Sequence, residues 1–329
     1  PGGRAVIRLD GHVGDVRAVA FTPAGRVVSG GSDRTVRVWD PARGDCLAVA
    51  RAKAKAPVYA VAAAPDGSVV AFAGRAPPRS ATNVVTLIDP ATGAVIGHYE
   101  LRTEDTVYRL DRAYNLTQAV EPVSRSIWAL SFSAVGRHMA VAYRKPGGAN
   151  MPVGAGGYVW RRDDRTGDGP LPGNDIYTVQ FAPAGTGLAA TAAERVYFYD
   201  APGRPDPVVE YPLQCTWAAA VAFLPTGDVA VVAAGSFLHC VGTTAARKLW
   251  KVKTGLRVLS AVAFSPDGRF VLAGGSPKAV EVYDSATGAR LAAYDFGVGS
   301  VHALAFAPDG LTFAVAGYEG LAVCDAAFG

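Results

Sequence analysis

Five histidines are the side chains of this sequence best suited to acid–base or metal chemistry: His12, His98, His138, His239 and His302. Either chemistry needs several such groups, or carboxylates, converging on one point. No two of the five share a short motif. Neither a Gly-x-Ser-x-Gly elbow nor a Gly-x-x-x-x-Gly-Lys phosphate loop occurs. Cys46, Cys215, Cys240 and Cys324 form no Cys-x-x-Cys pair, so reduced thiols are expected, with no metal and no cofactor. Binding chemistry is better represented. Arg17, Tyr59, Trp128, Tyr177, Trp217 and His302 combine apolar area with polar tips, the side-chain type that dominates interaction hot spots. They matter together only if the fold gathers them.

What gathers them is a repeat. Val16–Gly25 reads VRAVAFTPAG and returns at 58–67, 127–136, 176–185, 218–227, 259–268 and 301–310. Its anchor is Phe21, Ala63, Phe132, Phe181, Phe223, Phe264 and Phe306, and the base spacing is 42 residues. That period matches a four-stranded propeller blade. Each copy runs from an apolar strand through a Pro/Gly turn to a small-residue strand. A third strand then ends in an aromatic–Asp pair or its relic: Trp39-Asp40, Ile88-Asp89, Trp160-Arg161, Tyr199-Asp200, Val241-Gly242, Tyr283-Asp284 and Cys324-Asp325. A fourth strand completes the blade. The seventh copy has only four residues left after Asp325, whereas Arg4–Leu9 precedes the first copy and has strand character. This spare strand is expected to become the outer strand of blade seven and close the ring, leaving no long exposed edges. The expected fold is all-β, one seven-bladed β-propeller of four-stranded antiparallel blades over residues 1–329, with strand 4–9 at the seam.

The stretch from Gly11-His12 to Trp39-Asp40 resembles the WD-repeat family, and the resemblance extends over essentially the whole chain. It implies that His12, Ser29, Asp33 and Trp39 form a hydrogen-bonded tetrad bracing the blade. Blade one alone keeps this set; the other six have lost the Gly-His dipeptide. The resemblance also implies that partners dock at the top mouth of the central channel, where inner strands begin.

Three segments exceed the repeat: 74–83, 101–126 and 144–157. The first and third are Pro/Gly-rich and read as loops. In the second, Tyr108, Leu110, Tyr114 and Leu116 alternate as in a hairpin, while Val107, Leu110 and Tyr114 also fit a short helix. All three fall in connections that open onto the top face at blades two and three, a concentration expected of functional elaboration rather than drift.

Four places before the anchors stand Arg17, Tyr59, Trp128, Tyr177, Ala219, Ser260 and His302. These positions are expected to rim the mouth, with Trp217 beside them. Basic residues gather in the expected top loops: Arg51, Lys53, Lys55, Arg75, Arg79, Arg144, Lys145, Lys253 and Arg257. Glu104, Asp105, Glu121 and Asp175 dilute them. The formal charge of +4 neither demands nor excludes an anionic partner. The expected function is a non-catalytic protein or peptide scaffold. The alternative is a phosphate-bearing or nucleic-acid ligand, bases stacking on the arc and phosphates tracking the loops; a propeller hydrolase or lyase ranks below both. No 18-residue apolar run and no signal-peptide pattern at Pro1-Gly2-Gly3-Arg4 are seen, so a cytoplasmic protein off the membrane is expected. Abundant Ala, Gly, Val and Arg suggest GC-rich coding and a bacterial source. A start at Pro1 rather than Met suggests one module of a larger protein.

Overall fold

The structure, a computed structural model, describes residues 5–52, 56–75, 82–102, 104–110, 116–122, 126–144, 155–163, 167–171, 176–202, 204, 206–215 and 218–328. Among them, thirty strands form seven four-stranded antiparallel sheets and one two-stranded hairpin, with no helix. Blade one runs from channel to rim as Val16–Phe21, Val27–Gly31, Thr35–Asp40 and Asp45–Arg51. The next five blades repeat that order. Blade seven takes its fourth strand from the other end of the chain: Ala5–Arg8 pairs antiparallel with Gly320–Asp325, Ala5 opposite Cys324 and Arg8 opposite Ala322. The ring therefore closes as a clasp of first and last strands.

The turns follow from local chemistry. In Ser265-Pro266-Asp267-Gly268, Gly268 adopts φ 73°, a left-handed conformation that costs glycine little. Its N–H donates to the Ser265 carbonyl at 2.8 Å, and the Asp267 carboxylate accepts from the Arg269 N–H at 3.0 Å.

Apolar packing forms seven clusters among the described residues, each lying between two adjacent blades. Second strands are covered on both faces by neighbouring blades, which explains small apolar runs such as Val70–Gly74 and Val229–Ala234. The aromatics that end the third strands wedge between blades: Trp39 and Tyr283 are fully buried. Truncating a buried Trp of this kind costs about 3–5 kcal/mol. Cross-blade hydrogen bonds add register, as when Ser131 Oγ accepts the Phe181 N–H at 2.9 Å.

The described parts of 101–126 form a hairpin rather than a helix, while 103, 111–115 (with Tyr114) and 123–125 lie outside the described residues. Glu104–Leu110 pairs with Leu116–Pro122, from Glu104 opposite Pro122 to Leu110 opposite Leu116. Regular strands also reach further into the other two surplus segments than their composition suggested. The second strand of blade three extends to Arg144, which pairs with Ala155. Blade two's second and third strands are Val70–Gly74 and Thr82–Ile88. The remainders of those segments, 76–81 and 145–154, lie outside the described residues.

Candidate functional site

The inner strands of blades one, two, three, five, six and seven share a defect at one position. In blade one Val16 pairs with Gly31 and Ala18 with Gly30, so Arg17 is skipped. The same slip skips Tyr59, Trp128, Ala219, Ser260 and His302. Such β-bulges re-aim a side chain and raise local twist. Here each bulged residue is turned into the channel mouth. Blade four is the exception: its strand begins regularly at Thr178, and the Tyr177 N–H donates to the Thr191 carbonyl at 2.7 Å. Two glycines show how the incoming chain is let so close. A Cβ at Gly74 would collide with the Pro57 carbonyl, and one at Gly275 with that of Val258.

These residues surround a cavity of about 360 Å³ lined also by Arg144, Thr178, Val258 and Leu259. Five side chains form one continuous stack along its wall. The Arg17 guanidinium lies 5.4 Å from the Tyr59 ring centre. Tyr59 stacks on Trp128 at 4.4 Å with the rings 25° apart. Arg144 then lies 5.0 Å from the Trp128 ring and 4.4 Å from that of Tyr177. Alternation of cations and π-faces stabilises the arc by roughly 0.5–2 kcal/mol per contact. The opposite rim is low, built of Ala219 and Ser260, and Val258 stands exposed beside it.

Burial shapes the site's protonation. It pulls the Arg144 guanidinium down to about 10, still fully charged near neutrality. It also lowers His302, helped by the positive charge of Arg17 and opposed by Asp15, so the imidazole is neutral at physiological pH. Asp15 is engaged already, accepting from Arg17 Nη2 at 2.6 Å. Arg17 Nε and His302 Nε2 are buried without a hydrogen-bond partner among the described residues.

The structure thus brings Arg17, Tyr59, Trp128, Tyr177 and His302 to one cavity, while Trp217 lies outside the described residues. Arg144 joins them from the end of a strand, not from a loop, because the blade-three ladder continues one pair beyond the Gly-rich break in sequence. Among the other basic candidates, Arg51 and Lys253 end outer strands and Arg75 and Arg257 flank strands; Lys53, Lys55, Arg79, Lys145 and the acidic Asp175 lie outside the described residues. His98 sits on the outer strand of blade two, His138 opens a strand of blade three and His239 is buried in blade five. No three His, Cys, Asp or Glu groups cluster to hold a metal among the described residues. Cys46, Cys240 and Cys324 form no disulfide among the described residues.

Away from the mouth, His12, Ser29, Asp33 and Trp39 are hydrogen-bonded in series. His12 Nδ1 is 2.9 Å from Asp33 Oδ2, His12 Nε2 is 2.7 Å from Ser29 Oγ, and Trp39 Nε1 donates to Ser29 Oγ at 2.8 Å. Burial lowers the His12 pKa, so the imidazole is neutral and the directions are fixed. Nδ1–H donates to Asp33, and the Ser29 hydroxyl donates to Nε2. Blade six carries a different brace: the buried Glu281 accepts from the Tyr283 hydroxyl at 2.6 Å, Arg290 at 2.8 Å and the Gly255 N–H at 3.1 Å.

The WD domain, G-beta repeat family model matches residues 3–40 and 253–284, stretches that include the blade-one tetrad and, of the blade-six brace, Gly255, Glu281 and Tyr283. A crystal structure of the WD40 beta propeller domain of Doa1 is similar, with a TM-score of 0.72 over 98% of this chain and 96% of that one. At 12% identity that likeness concerns the fold. No curated protein matches the sequence. The chain is a seven-bladed β-propeller with WD-repeat matches in its first and sixth blades. Propellers of this type generally serve as scaffolds for protein interactions. No helix among the described residues is long and apolar enough to cross a membrane.

Proposed function

We propose that this propeller is a non-catalytic binding module that receives a protein or peptide at its channel mouth. The observation that carries the reading is the stack from Arg17 through Tyr59, Trp128 and Arg144 to Tyr177 along one cavity wall. Rigid aromatic and Arg side chains in a concave, half-buried setting offer large contact area at small entropic cost. A second cavity of about 320 Å³, lined by residues of blades four and five around Gly185, Tyr199 and Gly227, carries no Arg, Lys or His. The repeat pattern assigns the surplus at 74–83, 101–126 and 144–157 to connections on the same face of neighbouring blades. Abundant Ala, Gly, Val and Arg extend the reading to a bacterial source, with one propeller spanning 1–329.

The test is affinity capture from cells that make the protein. The baits are wild type, Trp128→Ala, Tyr177→Ala and a chain with 101–126 replaced by a short Gly/Ser linker, each checked by thermal melt. A partner held by wild type and lost by both mouth variants supports the reading. A partner held equally by all four baits contradicts it.

A further inference from the structure

The residue that ends each third strand and wedges between blades varies, and so does what fills the space beside it. Between blades six and seven the wedge is the small Cys324, and Phe328 packs into the same cluster. Its ring lies 5.4 Å from that of Phe270 and 5.6 Å from that of Phe313. Blades four and five meet at corresponding positions without these three rings. Their wedge is Val241, which pairs with Ala230 as Cys324 pairs with Phe313. The Gly187 carbonyl accepts the Ala182 N–H as that of Phe270 accepts the Ser265 N–H. Ala245 follows Val241 at the sequence distance at which Phe328 follows Cys324. Gly187, Ala230 and Ala245 thus stand where the other boundary has phenylalanines, and a cavity of about 320 Å³ is left.

The buried Phe198 and Phe223, edge to face at 6.2 Å, lie behind it, and Val208, 55% exposed, stands at its lip. The cavity opens beside the turns where inner strands end, on the face opposite the mouth. An apolar cavity of about 150 Å³ is already large enough to take benzene. The ionisable carboxylates along it are Asp200 and Asp228, with no Arg, Lys or His among the described residues lining it. Asp200 has Arg204 Nε at 3.5 Å. Asp228 is exposed, accepts the Thr226 hydroxyl and meets no cation among the described residues.

We infer that this cleft receives an aromatic side chain of a partner polypeptide, seated as Phe328 is at the six–seven boundary, with a neighbouring Lys or Arg of the partner against Asp228. The propeller's own packing sets the ring chemistry, since the same space is filled by phenylalanine between one pair of blades and left open between another. Edge-to-face contact with Phe198 and Phe223 favours a ring over an aliphatic chain. The lining carboxylates set the sign of the flanking charge. The cleft is separate from the channel mouth, and neither site requires the other.

The experiment is selection of a random dodecapeptide phage library on the whole chain carrying Trp128→Ala and Tyr177→Ala, so that the mouth is disabled. Labelled winners are then titrated into wild type and cleft variants, each checked by thermal melt. Gly187→Phe restores one of the missing rings; a Cβ there would meet Ala182 and the Tyr199 carbonyl at ordinary distances of 3.5 and 3.6 Å. Winners are expected to share an aromatic residue beside Lys or Arg. Changing that aromatic to Ala, or filling the cleft with Gly187→Phe, is expected to weaken binding about tenfold or more. Asp228→Lys is expected to weaken it about fivefold, the scale of an exposed charge pair. Should Gly187→Phe fail to fold, Ala245→Phe at an exposed turn fills the same space, with the same loss expected. Winners without an aromatic, winners indifferent to a folded cleft-filling variant, or no enrichment would overturn the inference. Aromatic winners blocked by Gly187→Phe but indifferent to Asp228→Lys would overturn the basic flank and keep the ring. None of these results depends on the mouth, so failure here and failure of the mouth as a site are told apart.

Discussion

The Arg144 guanidinium sits 4.4 Å from the ring centre of Tyr177, tying the end of a blade-three strand to the start of blade four's inner strand. Arg144 Nη2 also reaches the Tyr177 carbonyl at 3.5 Å. One side chain therefore bridges two blades and completes the wall of the cavity. Arg144→Ala is expected to weaken a mouth-bound peptide at least tenfold while lowering stability by only about 1 kcal/mol, the scale of a partly desolvated cation–π contact. Calorimetric titration beside a urea melt separates the two effects. A loss of stability of several kcal/mol with unchanged affinity would make Arg144 a structural pin only.

Ser29 is the hinge of the blade-one tetrad, since it accepts from Trp39 and donates to His12. Ser29→Ala leaves both partners without it inside a closed core, and a buried unpaired polar group costs about 1–3 kcal/mol. Urea melts are expected to show a loss in that range. A neutral result would mean the series does not brace the blade.

Blade six relies instead on Glu281, which is 2% exposed and holds three donors. Removing it strands the Tyr283 hydroxyl and the Gly255 N–H. Glu281→Ala is therefore expected to cost about 1–3 kcal/mol for each of these two donors left without an acceptor. Arg290→Ala is expected to cost clearly less, because the Arg290 side chain is 55% exposed. Equal losses would show that the ion pair, rather than the buried carboxylate, holds the blade.

How much of this was legible in sequence depended on whether a position repeats. The seven anchors, the turn glycines and the seam strand follow from period and turn chemistry, so blade order and closure could be read directly. Arg17, Tyr59, Trp128, Tyr177 and His302 share one repeat position, which is why they could be gathered before any coordinates. The bulge that aims them leaves no mark of its own in the sequence. Arg144 and Glu281 belong to no repeated position: one follows a ladder into a Gly-rich stretch, and the other is a charged residue inside Val280–Asp284 that reads as solvent-facing. Their partners, Tyr177 and Arg290, are set by tertiary contact. The hairpin at 101–126 was one of two periodicities the same residues allow.

His239 should make the fold acid-sensitive. Burial and, secondarily, Lys251 and Lys248 lower its pKa from 6.5 to about 4. Between those values the unfolded chain binds a proton that the folded chain refuses. Stability is therefore full above about pH 6.5 and falls as pH drops toward 4, by about 3 kcal/mol for a shift of this size. Melts from pH 7.5 to 4.5 are expected to show a smaller decline for His239→Gln than for wild type. Parallel profiles would remove His239 as the cause.

The central claim is that the stacked mouth binds. Its most direct test is the affinity of the Trp128→Ala/Tyr177→Ala double variant for a peptide selected on wild type, measured by titration calorimetry with a thermal melt alongside. The expected result is affinity at least a hundredfold weaker, from loss of two hot-spot aromatics, with the fold intact. Wild-type affinity in a folded double variant would contradict the claim and move the site off the channel mouth.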